Sequence, residues 1–192
     1  AGELEALCRF YASKTSLKTI VLRLPHLADA SNEDNFLGSI FKQVNQKKKV
    51  LLPYRAQDRL DFISQRDLAD LISRIAEEDD DVSDSFSVCS GYQHTFGDLE
   101  AILRSIDPQV KILYEKNDDV INSEDYPHRL RKEYGWIPKD DVMEQILDFY
   151  EKYTKGSGRS RRTLSDLAEA LLNRSGRLTG YLEMVVVFIL SE

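Results

Sequence analysis

Apolar and polar residues along this chain follow two periods. Leu4, Leu7, Cys8 and Tyr11 recur at the spacing of a helix resting on a sheet. Thr19 to Leu24 is apolar or β-branched on both faces, as in a covered parallel strand, and Pro25 ends it. Phe36, Leu37, Ile40, Phe41 and Val44 predict a second helix, capped by Asn32 or Asp34, with Lys47, Lys48 and Lys49 at its carboxyl end. Val50 to Leu52 reads as a short edge strand. Leu60 to Gln65 reads as another, feeding a helix that carries Leu68, Leu71, Ile72 and Ile75.

After the acidic loop from Glu77 to Asp84, Phe86 to Ser90 predicts a strand that turns at Gly91. Thr95-Phe96-Gly97-Asp98 has the Thr-x-x-acid form of a helix start, and Leu99, Ile102, Leu103 and Ile106 continue one face until Asp107-Pro108. Val110, Ile112 and Tyr114 alternate as in a half-exposed strand. Ser123 to Tyr134 predicts a short helix with Pro127 in its first turn, and Val142, Ile146, Phe149, Tyr150 and Tyr153 predict a longer one.

The pattern changes near residue 154. Residues 154–162, with Gly156-Ser157-Gly158, are basic linker chemistry. Thr163, Asp166, Leu164, Leu167, Leu171 and Leu172 then predict an amphipathic helix within 163–192. From Tyr181 to Leu190 the chain is densely apolar, behind Arg159, Arg161, Arg162, Arg174 and Arg177. Such a basic flank suits the cytoplasmic side of a membrane anchor, although a span needs roughly 20 apolar residues. A strand or a partner-facing helix is the alternative.

With 42% apolar and 31% charged residues, the 192-residue chain has the balance of a globular protein built on one core. A net charge of −7 speaks against a nucleic-acid surface, which needs a basic face. Cys8 and Cys89 form no CxxC pair and have no histidine at ligand spacing, so neither a disulfide framework nor a zinc site is indicated. A reducing, cytoplasmic setting fits, and the first residues do not read as a signal peptide.

Thr19-Ile20-Val21-Leu22-Arg23-Leu24-Pro25, the segment Arg59 to Ile72 and Tyr134-Gly135-Trp136-Ile137-Pro138, in that order, resemble the later half of the extended short-chain dehydrogenase/reductase family, the NAD-dependent epimerases and dehydratases. The resemblance extends over residues 1–153. It implies an α/β protein: the C-terminal, substrate-side half of a Rossmann-like fold with a small mixed sheet, the strands of Arg23 and Phe62 sharing that sheet, plus a helical tail. It also implies a nucleotide sugar as partner, NAD or NADP in the complete protein, and the homodimeric pairing frequent in the family.

By resemblance, His26, Leu27, Asn32 and Asn35 are candidates to line the substrate, a polar surface loop being the other reading, and an arginine just before Asp61 would fork onto its diphosphate. Here Leu60 holds that arginine's place, Arg59 stands one residue earlier, and Ser64 replaces a histidine. Arg59 is the candidate, with Arg66 or Arg55 as substitutes. Tyr126, His128, Arg129 and Arg131 lie where relatives place a second phosphate contact, and Arg129 is the candidate among them. Solvated helix charge is the other reading. Asp67 reads as a helix-start acid and Trp136 as core.

The reactive groups of the family are not in this sequence. Tyr11-Ala12-Ser13-Lys14 is one residue short of Tyr-x-x-x-Lys, the spacing that stacks phenol and ammonium on successive helical turns. No Gly-rich strand-to-helix loop occurs either, so the dinucleotide is not expected on this chain alone; both features belong upstream of Ala1. The first functional expectation is therefore the substrate-binding half of a nucleotide-sugar epimerase or dehydratase for cell-surface polysaccharide synthesis. The rival is a non-catalytic, reductase-like binding or scaffolding domain of a membrane-tethered exopolysaccharide or signalling protein. A third reading, a cofactor-sensing regulator, needs an intact dinucleotide loop upstream.

Overall fold

A computed structural model describes residues 2–14, 18–29, 33, 35–47, 49–77, 84–115, 127–155 and 184–190. Helix α1 (Gly2–Lys14) leads into strand β1 (Lys18–Leu24), whose Thr19, Ile20, Val21, Leu22 and Leu24 are buried while Arg23 is exposed. This run, apolar on both faces, lies between two parallel neighbours, β6 (Asp84–Ser87) and β9 (Met184–Leu190), in the order β6-β1-β9. The apolar run near the carboxyl end is therefore a strand from Met184 to Leu190, in register with all of β1. No helix among the described residues is long and apolar enough to cross a membrane. The helix expected from Thr163 onward and the linker from Gly156 to Arg162 lie outside the described residues.

Pro25, which has no N–H to give a ladder, ends β1 and starts a new pairing. Strand β2 (His26–Ala28) runs parallel to β5 (Phe62–Ser64), with His26 opposite Phe62. The expectation that Arg23 and Phe62 share one sheet is thus corrected: the strand changes partner at Pro25, so Arg23 sits in the three-stranded sheet and Phe62 in a two-stranded one. The stretch expected as one strand from Leu60 is also divided. Asp61 separates β4 (Arg59–Leu60), antiparallel to β7 (His94–Thr95), from β5.

The β2–β5 ribbon is a partition between two cores. Phe62, Leu60 and Ala28 face one core, with Phe41, Phe96, Leu99 and Ile146; Ile63 faces the other, with Leu22, Leu68, Phe86 and Trp136. Alternation along an extended strand accounts for this, since neighbouring side chains leave on opposite faces. The first core collects α2 (Phe36–Asn45), α4 (Phe96–Ile106), α6 (Val142–Thr154) and the parallel pair β3 (Val50–Leu52) and β8 (Ile112–Tyr114). The second collects α3 (Gln65–Glu77) and α5 (His128–Tyr134) against β1 and β6.

Local signals set most boundaries. Thr95 and Asp98 form the expected capping box, each side chain bonding the other's backbone. Gly135, at φ 60°, supplies the left-handed residue that closes α5. The cap of α2 is Asn35; Asn32 and Asp34 lie outside the described residues. Helix α1 departs from its pattern, because Leu7 and Tyr11 are about half exposed, at 50% and 51%, with Phe10 at 55%.

Candidate functional site

Two of the four candidate residues, His26 and Asn35, meet at the start of α2, and Arg59 lies on β4. His26 begins β2, its backbone N–H donating to the Asp61 carbonyl at 3.3 Å. Its imidazole stacks flat on Phe36, the first residue of α2, at 4.1 Å between centroids and 9° between planes. Phe62 meets the same pair from the side, at 5.8 Å from His26 and 5.9 Å from Phe36. Burial in this aromatic setting pushes the His26 pKa down to about 4, so the ring is neutral at neutral pH. Asn35, next to Phe36, donates from Nδ2 to Asp29 Oδ2 at 3.0 Å. Its side chain does not cap α2.

Arg59 is half-buried on β4, and its Nη2 donates to the Tyr92 carbonyl at 3.4 Å. The one-residue shift noted in the sequence has a structural counterpart. Leu60 is in the core, while Arg59 stabilises the charge on Asp61 two residues on. Asp61 is buried and receives both the backbone N–H and the hydroxyl of Ser90. Burial pushes its pKa up, against the pull of Ser90, Arg59 and the Phe62 backbone. The acid thereby links the start of β5, and the His26 backbone on it, to the loop that carries Tyr92.

Arg129 is not brought to this group. It lies on α5, exposed, paired with Asp84 at 2.5 Å and with Glu133 at 3.2 Å, and its guanidinium covers the Phe86 ring at 4.5 Å. These contacts fasten α5 to β6. His128 and Arg131 are exposed on the same helix, and Arg55 and Arg66 are exposed elsewhere. Leu27 packs on the second core. Asn32 and Tyr126 lie outside the described residues.

Asp67 does more than complement a helix dipole. Its carboxylate accepts the backbone N–H groups of Lys139 at 3.0 Å and of Asp140 at 2.9 Å, and its carbonyl accepts the Trp136 indole N–H at 3.1 Å. Ser64, in the place of the family's histidine, donates to Asp140 and accepts from the Asp67 N–H. Both residues are used in holding the Trp136–Asp140 segment onto α3. A further pair escaped the sequence reading: His94 Nε2 lies 2.9 Å from both carboxylate oxygens of Asp141, the cap of α6, with Tyr92 stacked on the imidazole. No local spacing connects residues 47 apart, so nothing in the sequence pointed to it.

Two strand-to-helix junctions do not fit a dinucleotide pyrophosphate. At the strand-to-helix junction from β5 to α3, Ser64 already takes the Asp67 N–H. At the junction from β7 to α4, the Phe96 and Gly97 N–H groups donate to Asp58 and Ala56 carbonyls, and a Cβ at Gly97 would stand 3.1 Å from the latter oxygen. That glycine accommodates a neighbouring loop, so no pyrophosphate cradle is open there.

No protein-family model matches the sequence, and no curated protein matches it. Solved structures do match in fold. The UDP-glucuronic acid 4-epimerase of Bacillus cereus, solved with UDP-glucuronic acid and NAD, is 13% identical with a TM-score of 0.66, the match covering 79% of this chain and 50% of that one. The UDP-glucose 4-epimerase of Thermotoga maritima, solved with UDP-glucose, is 19% identical with a TM-score of 0.62, over 80% and 51%. The dTDP-glucose 4,6-dehydratase of Bacillus anthracis, solved with NAD, is 13% identical with a TM-score of 0.63, over 79% and 49%. The chain spans about half the length of these structures. In fold, then, the chain is similar to about half of these NAD-dependent epimerase and dehydratase structures.

Proposed function

We propose that this chain is the nucleotide-sugar-binding half of an NAD-dependent epimerase/dehydratase-like protein acting in cell-surface polysaccharide synthesis. The observation that carries the reading is the placing of His26 against Phe36 and Phe62 at the start of α2, beside Asn35, with Arg59 on β4, the strand just before β5. One feature favours an anion, the Arg59 guanidinium. The Phe36 and Phe62 rings beside His26 offer apolar surface to a base or a sugar ring. Arg129 is assigned to fastening α5. NAD or NADP would be held by groups outside this chain, and the redox step belongs to them.

A second reading is a binding or scaffolding domain that performs no chemistry. It is favoured by Ser64, whose hydroxyl is committed to Asp140 and to the α3 backbone where the family has a histidine, and by the burial of Leu60 in the arginine's place. Membrane tethering, a cytosolic location and homodimer formation belong to the proposal and not to the observations. Calorimetry of the full-length protein with UDP-glucose, UDP-glucuronic acid and NAD separates the readings. Heat with a UDP-sugar and with NAD is expected for the enzyme. Heat with the sugar nucleotide alone points to the binding domain, and silence toward every sugar nucleotide sinks the first reading.

A further inference from the structure

Resting on that reading, we infer that the edge of the His26 imidazole recognises an uncharged, hydroxyl-bearing part of the nucleotide sugar and does not serve its diphosphate. The ring is held from two directions. Its face is stacked on Phe36 and its flank meets Phe62, while the backbone N–H is tied to the Asp61 carbonyl. It therefore has little freedom to swing. Its two ring nitrogens make no hydrogen bond to any described residue, although the residue is only partly exposed.

A half-buried polar edge without a protein partner is costly unless water or a ligand serves it. The chemistry of the edge narrows that ligand. A neutral imidazole offers one N–H donor and one lone-pair acceptor, and the burial that holds the His26 pKa at about 4 keeps the ring in that form. A hydroxyl can both receive and give a hydrogen bond, so it satisfies either nitrogen. A diphosphate offers only acceptors, so it leaves the lone-pair nitrogen without a donor, and its charge favours a cation, which this ring is not. On this division the diphosphate is left to a cationic group, and His26 discriminates among the sugars attached to it.

The test compares UDP with UDP-glucose on the full-length protein by calorimetry, for wild type, His26→Phe and His26→Asn. Phe keeps a ring against Phe36 but removes both hydrogen-bonding groups; Asn restores a neutral donor and acceptor. Losing one ligand hydrogen bond corresponds to roughly a tenfold loss. That loss is expected for UDP-glucose with His26→Phe, with UDP changed by less than about twofold and most of the affinity recovered in His26→Asn. Should Phe prevent folding, as judged by thermal melting, His26→Leu makes the same comparison. Equal weakening of both ligands, or of neither, overturns the inference while leaving the binding reading intact. Wild type binding neither ligand overturns both.

Discussion

Asp67 and His26 use their polar atoms in opposite ways. Asp67 is almost fully buried, and each carboxylate oxygen receives backbone N–H groups from a segment about seventy residues away. With the Trp136 indole bound to its carbonyl and Ser64 bound to its N–H, nothing polar there is left for a ligand. His26 is pinned by its backbone and its ring face, while its nitrogens remain open. The difference teaches how to tell scaffold from site in one fold. Saturated hydrogen bonding fixes the chain, and open hydrogen bonding on a rigid mount is available for recognition.

The largest effect should come from breaking the saturated side. Trp136 is fully buried, so Trp136→Ala removes an indole, leaves a cavity and deletes the indole N–H bond to the Asp67 carbonyl. A loss of about 3 to 5 kcal/mol in urea unfolding is expected. Asp67→Ala should follow, at about 2 to 4 kcal/mol, because it leaves the Lys139 and Asp140 N–H groups without their acceptor. Asp67→Asn should recover part of that, since one amide oxygen still accepts. If Asp67→Ala and Asp67→Asn were equally mild, the carboxylate would not be the clamp described here.

Much of the scaffold was readable in the sequence because its causes are local. The Thr95–Asp98 box, the apolar stripe of α3 and the two-faced strand β1 each depend on residues within a few positions of one another. What escaped depends on distance. A three-residue β2 after Pro25 has no period to detect, and it exists because β5 lies alongside. The Asp67 clamp and the His94–Asp141 pair join residues 47 to 73 positions apart, which no window can see. Resemblance brought His26, Asn35, Arg59 and Arg129 forward as candidates. The engagement of Arg129 elsewhere needed the packing of α5 on β6.

The next effect sharpens the comparison through pH. The His26 pKa falls from an ordinary 6.5 to about 4 on folding, so the unfolded chain takes up the proton first as pH drops. Stability from this group is complete above about pH 6.5, declines below it, and is lost as pH falls through about 4. The shift corresponds to roughly 2 to 3 kcal/mol after allowance for solvent. Chemical unfolding from pH 7.5 to 4.5 should show wild type losing more stability than His26→Phe, which carries no titrating ring. Parallel curves for the two proteins would remove the case for a buried neutral imidazole.

The smallest effect should come from Arg129, and its smallness is what makes it informative. Its guanidinium is about half exposed, with a side-chain accessibility of 50%, so the pairs with Asp84 and Glu133 lie in water and are screened by salt. Arg129→Met keeps aliphatic cover for Phe86 while removing the charge, and a loss of about 0 to 1 kcal/mol is expected, shrinking further at high salt. Affinity for UDP-glucose should stay at the wild-type value, because the side chain is occupied against β6 and Phe86. Arg59→Met should behave in the opposite way, with affinity falling for UDP and UDP-glucose alike. A fall in UDP affinity with Arg129→Met would return that residue to the ligand and move the boundary between scaffold and site onto α5.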